Sequence, residues 1–253
     1  MEIIEKAAEI RKGLIQELVF TGINDGPRRE IHIGPKPVEI AEEWDAKRIG
    51  GVTSTVQYGS SESLSQEGDY PMFRMNNIEN GQMVAEPMKY VDLDDETAEN
   101  YLVELGDILF NRTNSIDLVG KSGIFDLEGE FVFASYLIRI RTTDEMNPWF
   151  LNYFINSKIG QDVMFSIATR GASQANINAT NLKNVRVPAP PREEQDRIVE
   201  RIRSVEEKIE KEKERKERLQ QLKRGLMQDL LTGDTRTPPD LLNESRTGDE
   251  GGK

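Results

Sequence analysis

After Pro191 the chain runs for about 40 residues with no Gly until Gly225 and no Pro until Pro238, and this stretch constrains the fold more than any other. Gly and Pro are the usual helix breakers, so their absence predicts one long helix, bounded here as 191–233. Apolar residues fall at Ile198, Ile202, Val205 and Ile209, spaced 4, 3, 4, and the frame continues through Leu219, Leu226 and Leu230. That repeat is the seam of a coiled coil, and these seven residues are the candidate contacts to a partner helix. At about 1.5 Å per residue the helix reaches roughly 60 Å, far longer than covering one small domain requires. Glu212, Lys216 and Lys223 stand where the frame expects apolar residues. Charges in a seam weaken packing and fix register, so a specific partner is expected. The competing reading is a single solvated helix laced with Glu/Lys pairs. Gly233 is expected to stop the helix, and residues 234–253, with Pro238 and Pro239, read as a disordered tail.

The preceding region has a different texture. Residues 34–190 hold 23 acidic and 13 basic groups, whereas 191–232 hold 11 and 12, so the net charge of −12 originates mainly in the central region. Short, turn-bounded apolar runs at 107–110, 123–125 and 131–140 read as strands. The expectation is an α+β chain: a globular mixed α/β domain over 34–190, a long C-terminal coiled-coil helix and a short N-terminal helix. With no Cys and one His, His32, the chain lacks the means for disulfides, thiolate nucleophiles, zinc clusters and histidine acid/base catalysis. No run approaches the roughly 18 to 20 apolar residues of a membrane span, and the charge-punctuated start is not a signal peptide, so a cytoplasmic protein without membrane contact is expected.

The two ends of the chain repeat one another. Residues 11–19, Arg-Lys-Gly-Leu-Ile-Gln-Glu-Leu-Val, match 223–231, Lys-Arg-Gly-Leu-Met-Gln-Asp-Leu-Leu, and Thr-Gly follows both once Phe20 is skipped. Ile3, Ala7, Ile10, Leu14 and Leu18 recur at helical spacing, so residues 1–22 form an amphipathic helix that copies the end of the long one. A Gly inside both copies argues against coincidence, because mid-helix Gly costs about 1 kcal/mol.

The run Val187-Pro188-Ala189-Pro190-Pro191-Arg192-Glu193-Glu194-Gln195, the long helix and residues 223–233 resemble the conserved region of the specificity subunit of Type I restriction-modification systems. Gly68 to Ile78, Leu105 to Arg112 and Gly171 to Ile177 resemble that family's target recognition domain, and the likeness covers essentially residues 1–236. The resemblance implies a non-catalytic, cofactor-free subunit that reads duplex DNA. It further implies assembly with a methyltransferase subunit using S-adenosylmethionine and with a nuclease/translocase subunit. A full-length member is implied to carry two recognition domains and two conserved helices, whose antiparallel coiled coil spaces two DNA half-sites. This chain has one recognition domain, preceded by the last part of a conserved helix and followed by a whole one, and so looks like a permuted half. Reading a bipartite site takes two halves, so a homodimer is expected. The alternative is a coiled-coil scaffold, or remnant fragment, that assembles with partner subunits without reading sequence.

Base edges are read by Arg or Lys on guanine and by Asn or Gln on adenine, with Ser, Thr and further cations on phosphate. Turn-like segments supply three such groups. Arg74, Asn76 and Asn77 follow one strand, Arg112, Thr113 and Asn114 leave another with Lys121 in the next turn, and Arg170, Ser173, Gln174 and Asn176 lie in a Gly-containing loop. Each equally fits a structural loop role: Arg112 as an ion-pair partner, Gln174 and Asn176 as satisfying loop backbone. Asn147-Pro148-Trp149-Phe150 loosely resembles an amino-methyltransferase motif, but Asn147 and Pro148 read better as the cap and first residue of a helix. Asp92, Asp94, Asp95 and Glu96 lack the Gly and Glu of a calcium loop, with Thr97 and Val103 in those places, so no metal is expected. The excess of acid suits a protein working at high salt, and it predicts a shallow salt dependence of DNA affinity.

Overall fold

The computed structural model describes residues 2–115, 118–171 and 174–232, with backbone alone for 2–5. Among the described residues the α-helices are α1 (Glu2–Thr21), α2 (Asp95–Glu99), α3 (Pro148–Asn156), α4 (Lys158–Ile167), α5 (Ala179–Asn184) and α6 (Arg192–Thr232). With sheets of two to six strands between them, the fold is α+β with a short N-terminal and a long C-terminal helix, as the sequence predicts. Contacts divide the chain into two units, Glu9–Ser204 and a second made of the stretches on either side of it. Among the described residues no helix is long and apolar enough to cross a membrane. The expected helix stop at Gly233 and the tail 234–253 lie outside the described residues.

A six-stranded sheet organises the larger unit, in the order Thr53–Tyr58, Leu137–Thr142, Ile108–Asn111, Ser122–Ile124, Gln82–Met83 and Ile78–Glu79. Ile138 pairs with Phe110 and Phe110 with Ser122, both antiparallel. The run 131–140, expected as one strand, is two. Val132–Phe133 pairs in parallel with Met72 and Phe73 in a separate sheet, and the chain turns at Ala134, where Leu137 N donates to the Ala134 carbonyl (2.9 Å), before entering the central sheet. A continuous apolar run marks burial on both faces and carries no mark of where a chain changes sheets.

Asn147 caps α3, its side-chain oxygen accepting from Trp149 N at 2.9 Å and Phe150 N at 3.3 Å. The acidic stretch at 92–96 enters α2, where Asp94 accepts from Thr97 N; that bond, chiefly, holds the Asp94 carboxyl below its ordinary pKa. One main core joins Ile15, Leu18, Val19 and Phe20 of α1 to Trp44, Phe150, Phe154 and the start of α6. Ile198 and Ile202, expected at the head of the partner seam, are therefore fully buried in the chain's own core, and no partner helix can reach them. The heptad frame continues unchanged from these buried positions to the exposed ones, which is why spacing alone does not divide them. Val205 and Ile209 are half-buried, and Leu219, Leu226 and Leu230 are exposed.

The Pro-Pro-x-Glu-Glu-Gln run fastens α6 to the domain. Gln195 is wholly buried; its carbonyl oxygen accepts from Asn147 N (2.7 Å), and its amide donates to the carbonyls of Glu145 (3.0 Å) and Pro190 (2.8 Å). Glu194 accepts from the Trp44 indole N–H at 3.0 Å. Gly22 ends α1 beside this pair with φ of 78°, and a Cβ there would stand 2.8 Å from the Trp44 ring and 2.9 Å from a Glu194 oxygen. Only Gly combines that backbone with that proximity.

Candidate nucleic-acid interface

The strand Ile108–Asn111 passes through Arg112 into Thr113–Asn114, which leaves the central sheet. It pairs with Ala175–Asn176, and that strand pairs with Thr169–Arg170. Two of the three candidate groups, 55 or more residues apart in sequence, thus share one small sheet. Thr113 lies opposite Asn176, and the Asn176 amide donates to the Thr113 hydroxyl at 2.6 Å. The Arg112 guanidinium stacks 4.7 Å above the Tyr58 ring and donates to the Ser135 carbonyl at 3.2 Å and the Asn176 side-chain oxygen at 3.4 Å. Its Nε is buried without a partner. Arg112 forms no ion pair among the described residues; it is held by carbonyls and an aromatic face, which spends part of its donor fork on position. The first group adjoins this sheet, since the Asn114 amide donates to the Met75 sulfur at 3.1 Å.

Within that first group the three residues differ. Asn77 is buried, accepts from Arg74 N at 3.0 Å and donates to the carbonyls of Val84 (3.0 Å) and Pro87 (3.2 Å). Those bonds consume the groups an adenine would need, so Asn77 is a loop brace and leaves the contact set. Half-buried Arg74 donates to the Pro87 carbonyl at 2.9 Å, while Asn76 is exposed. Exposed Arg170 stacks 4.1 Å above the Phe165 ring. Gln174 is also exposed, and its carbonyl accepts from Gly171 N at 2.8 Å. Ser173 lies outside the described residues. Lys121 stands apart from the small sheet, in the wall of a separate cleft.

Sequence reasoning missed the aromatics. Tyr58, Tyr136 and Phe165 are all substantially exposed; the first carries Arg112, the third carries Arg170, and the Tyr136 carbonyl accepts from Arg112 N at 3.1 Å. Aromatic rings beside guanidinium groups offer stacking surface to bases. Tyr136 was readable only as one more member of an apolar run, and nothing in the sequence marks the turn that exposes it. Asn147, from the methyltransferase-like tetrapeptide, is committed to the α3 cap and to Asp196, to which its amide donates at 2.6 Å. Burial opposes the charge on Asp196, but bonds from Arg192 and Asn147 outweigh it and keep its pKa below the ordinary value. Among the described residues no cluster of His, Cys, Asp and Glu is arranged to hold a metal ion.

Residues 41–221 match the sequence profile of the type I restriction modification DNA specificity domain. The chain is 24% identical over 251 residues to the type I restriction enzyme MjaVIII specificity subunit of Methanocaldococcus jannaschii, covering 93% of this chain and 55% of that protein. Over 155 residues it is 23% identical to the type I restriction enzyme EcoKI specificity subunit of Escherichia coli, covering 60% of this chain and 33% of that one. The crystal structure of the HsdS subunit from Thermoanaerobacter tengcongensis shares the fold, with a TM-score of 0.57 at 18% identity over 92% of this chain and 53% of that one. The chain spans about half the length or less of the curated relatives it matches.

Proposed function

Because the chain belongs to the type I restriction modification DNA specificity domain family, we propose that it is a non-catalytic, cytoplasmic unit that reads one half-site of duplex DNA. The observation that supports this most is the small sheet that gathers Thr113, Asn114, Arg170 and Asn176, with Arg112 and exposed Gln174 beside it. Arg170 and Gln174 are the readers, because both are exposed and stand on guanidinium and amide chemistry suited to base edges. Arg112 and Asn176 position the sheet, and Arg74, Asn76, Thr113, Asn114 and Ser173 supply phosphate or flanking contacts. A methyltransferase subunit using S-adenosylmethionine and a nuclease/translocase subunit act where this unit places them.

Two copies assemble through the distal part of α6. Supporting this is the exposed row Leu219, Leu226 and Leu230, with half-buried Val205 and Ile209 continuing it. An apolar seam on a charged helix needs cover, and a two-fold pair presents two recognition domains to a bipartite site. The test is the double variant Arg170→Ala/Gln174→Ala, measured by fluorescence anisotropy on the duplexes that the wild-type chain enriches from a random pool. Loss of two base-reading groups weakens binding by at least about tenfold, with the circular dichroism spectrum unchanged. Unchanged affinity would remove this sheet from the interface.

A further inference from the structure

The turn Ala134-Ser135-Tyr136-Leu137 is clamped by its neighbours. It is closed by the bond from Leu137 N to the Ala134 carbonyl at 2.9 Å. Ser60 N donates to the Phe133 carbonyl at 2.9 Å, and Ser135 N donates to the Ser60 carbonyl at 2.7 Å. Gly59 permits that approach, because a Cβ there would collide with the backbone oxygens of Phe133 and Ala134. Ala134 N donates to the Phe73 carbonyl at 2.9 Å. From the other direction, Arg112 N donates to the Tyr136 carbonyl at 3.1 Å and the Arg112 guanidinium to the Ser135 carbonyl at 3.2 Å. Ala134 and Leu137 are 3% and 0% exposed, whereas Tyr136 between them is 47% exposed. A rigid backbone thus holds one aromatic ring out into solvent.

Arg112 also couples this turn to the small sheet, since its guanidinium donates to the Asn176 side-chain oxygen at 3.4 Å. The other two exposed rings, Tyr58 and Phe165, carry guanidinium groups on their faces. Tyr136 is engaged differently, through its backbone carbonyl, and the turn alone aims its ring. A Tyr side chain has two rotatable angles, so a ring on a fixed backbone loses little entropy on contact. A chain of net charge −12 gains little from phosphate attraction, and ring contacts then carry a larger share of affinity. A projecting ring on a stiff mount has the form of a wedge that parts stacked bases.

We propose that Tyr136 stacks on a base of the half-site and opens the adjoining base step, so that steps which unstack readily are favoured there. This rests on the reading that the small sheet faces DNA. The experiment takes the duplex that the wild-type chain enriches from a random pool and places 2-aminopurine at successive positions, with wild type, Tyr136→Phe and Tyr136→Ala. A change in 2-aminopurine emission at one step is expected with wild type and Tyr136→Phe, and none with Tyr136→Ala. Binding by Tyr136→Ala weakens about five- to hundredfold, as the loss of one base–aromatic contact requires, with the urea midpoint unchanged because the ring is exposed. The proposal is overturned by no emission change with wild type, by Tyr136→Ala affinity within about twofold of wild type, or by Tyr136→Phe binding as weakly as Tyr136→Ala. Selective enrichment by wild type together with unchanged binding by Tyr136→Ala removes Tyr136 and leaves the small sheet as reader; enrichment of no duplex removes both.

Discussion

Gln195 shows what a single side chain contributes here. Its amide serves one backbone N–H and two carbonyls with no solvent to replace it. Truncation strands several buried polar groups, each costing about 1 to 3 kcal/mol when left unpaired. Gln195→Ala should therefore lower unfolding stability by about 3 kcal/mol in urea titration; a loss under about 1 kcal/mol would mean that the network is not holding α6. The sequence displays Gln195 as part of a motif but conceals its partner, Asn147, 48 residues away. The same limit applied to Asn77 and Asn76, adjacent and chemically identical, of which one is a buried brace and the other an exposed candidate. Loop chemistry was legible; which atoms the fold would consume was not.

At the scale of elements, α1 and the end of α6 carry nearly the same sequence to opposite fates. Ile15, Leu18 and Val19 are 7%, 5% and 0% exposed, whereas their counterparts Met227, Leu230 and Leu231 are 52%, 39% and 84% exposed. Helical period and Gly position were enough to predict both helices, since amphipathicity is local. Where along α6 the core ends depends on what packs against it, and the heptad frame is blind to that. Two truncations separate the regions. Ile202→Ala should destabilise the folded domain by about 2 to 4 kcal/mol, as expected of a filled core position. Leu226→Ala should change the monomer's urea midpoint by no more than about 0.5 kcal/mol in equivalent stability while weakening dimerisation seen by light scattering. Equal effects of the two on the midpoint would contradict the division. Among the described residues no atom lies within 4 Å of where a Cβ would stand on Gly13 or Gly225, and nothing there explains the Gly that the two helices share.

For the whole molecule, the net charge of −12 stands against the usual basic footprint of DNA-binding proteins. The structure redistributes that objection. Acid dominates the domain as a whole, yet the small sheet and the residues beside it offer guanidinium groups and amides. Recognition by such a surface leans on base edges and stacking more than on many phosphate contacts, so affinity should depend weakly on salt. The proposed role of this chain is to select sequence. Its most direct test is repeated enrichment of a random duplex library by the purified full chain, followed by sequencing. A bipartite motif with two inverted halves at one fixed spacing is expected; an equal, weak response to every sequence would contradict that role and leave a scaffold in its place.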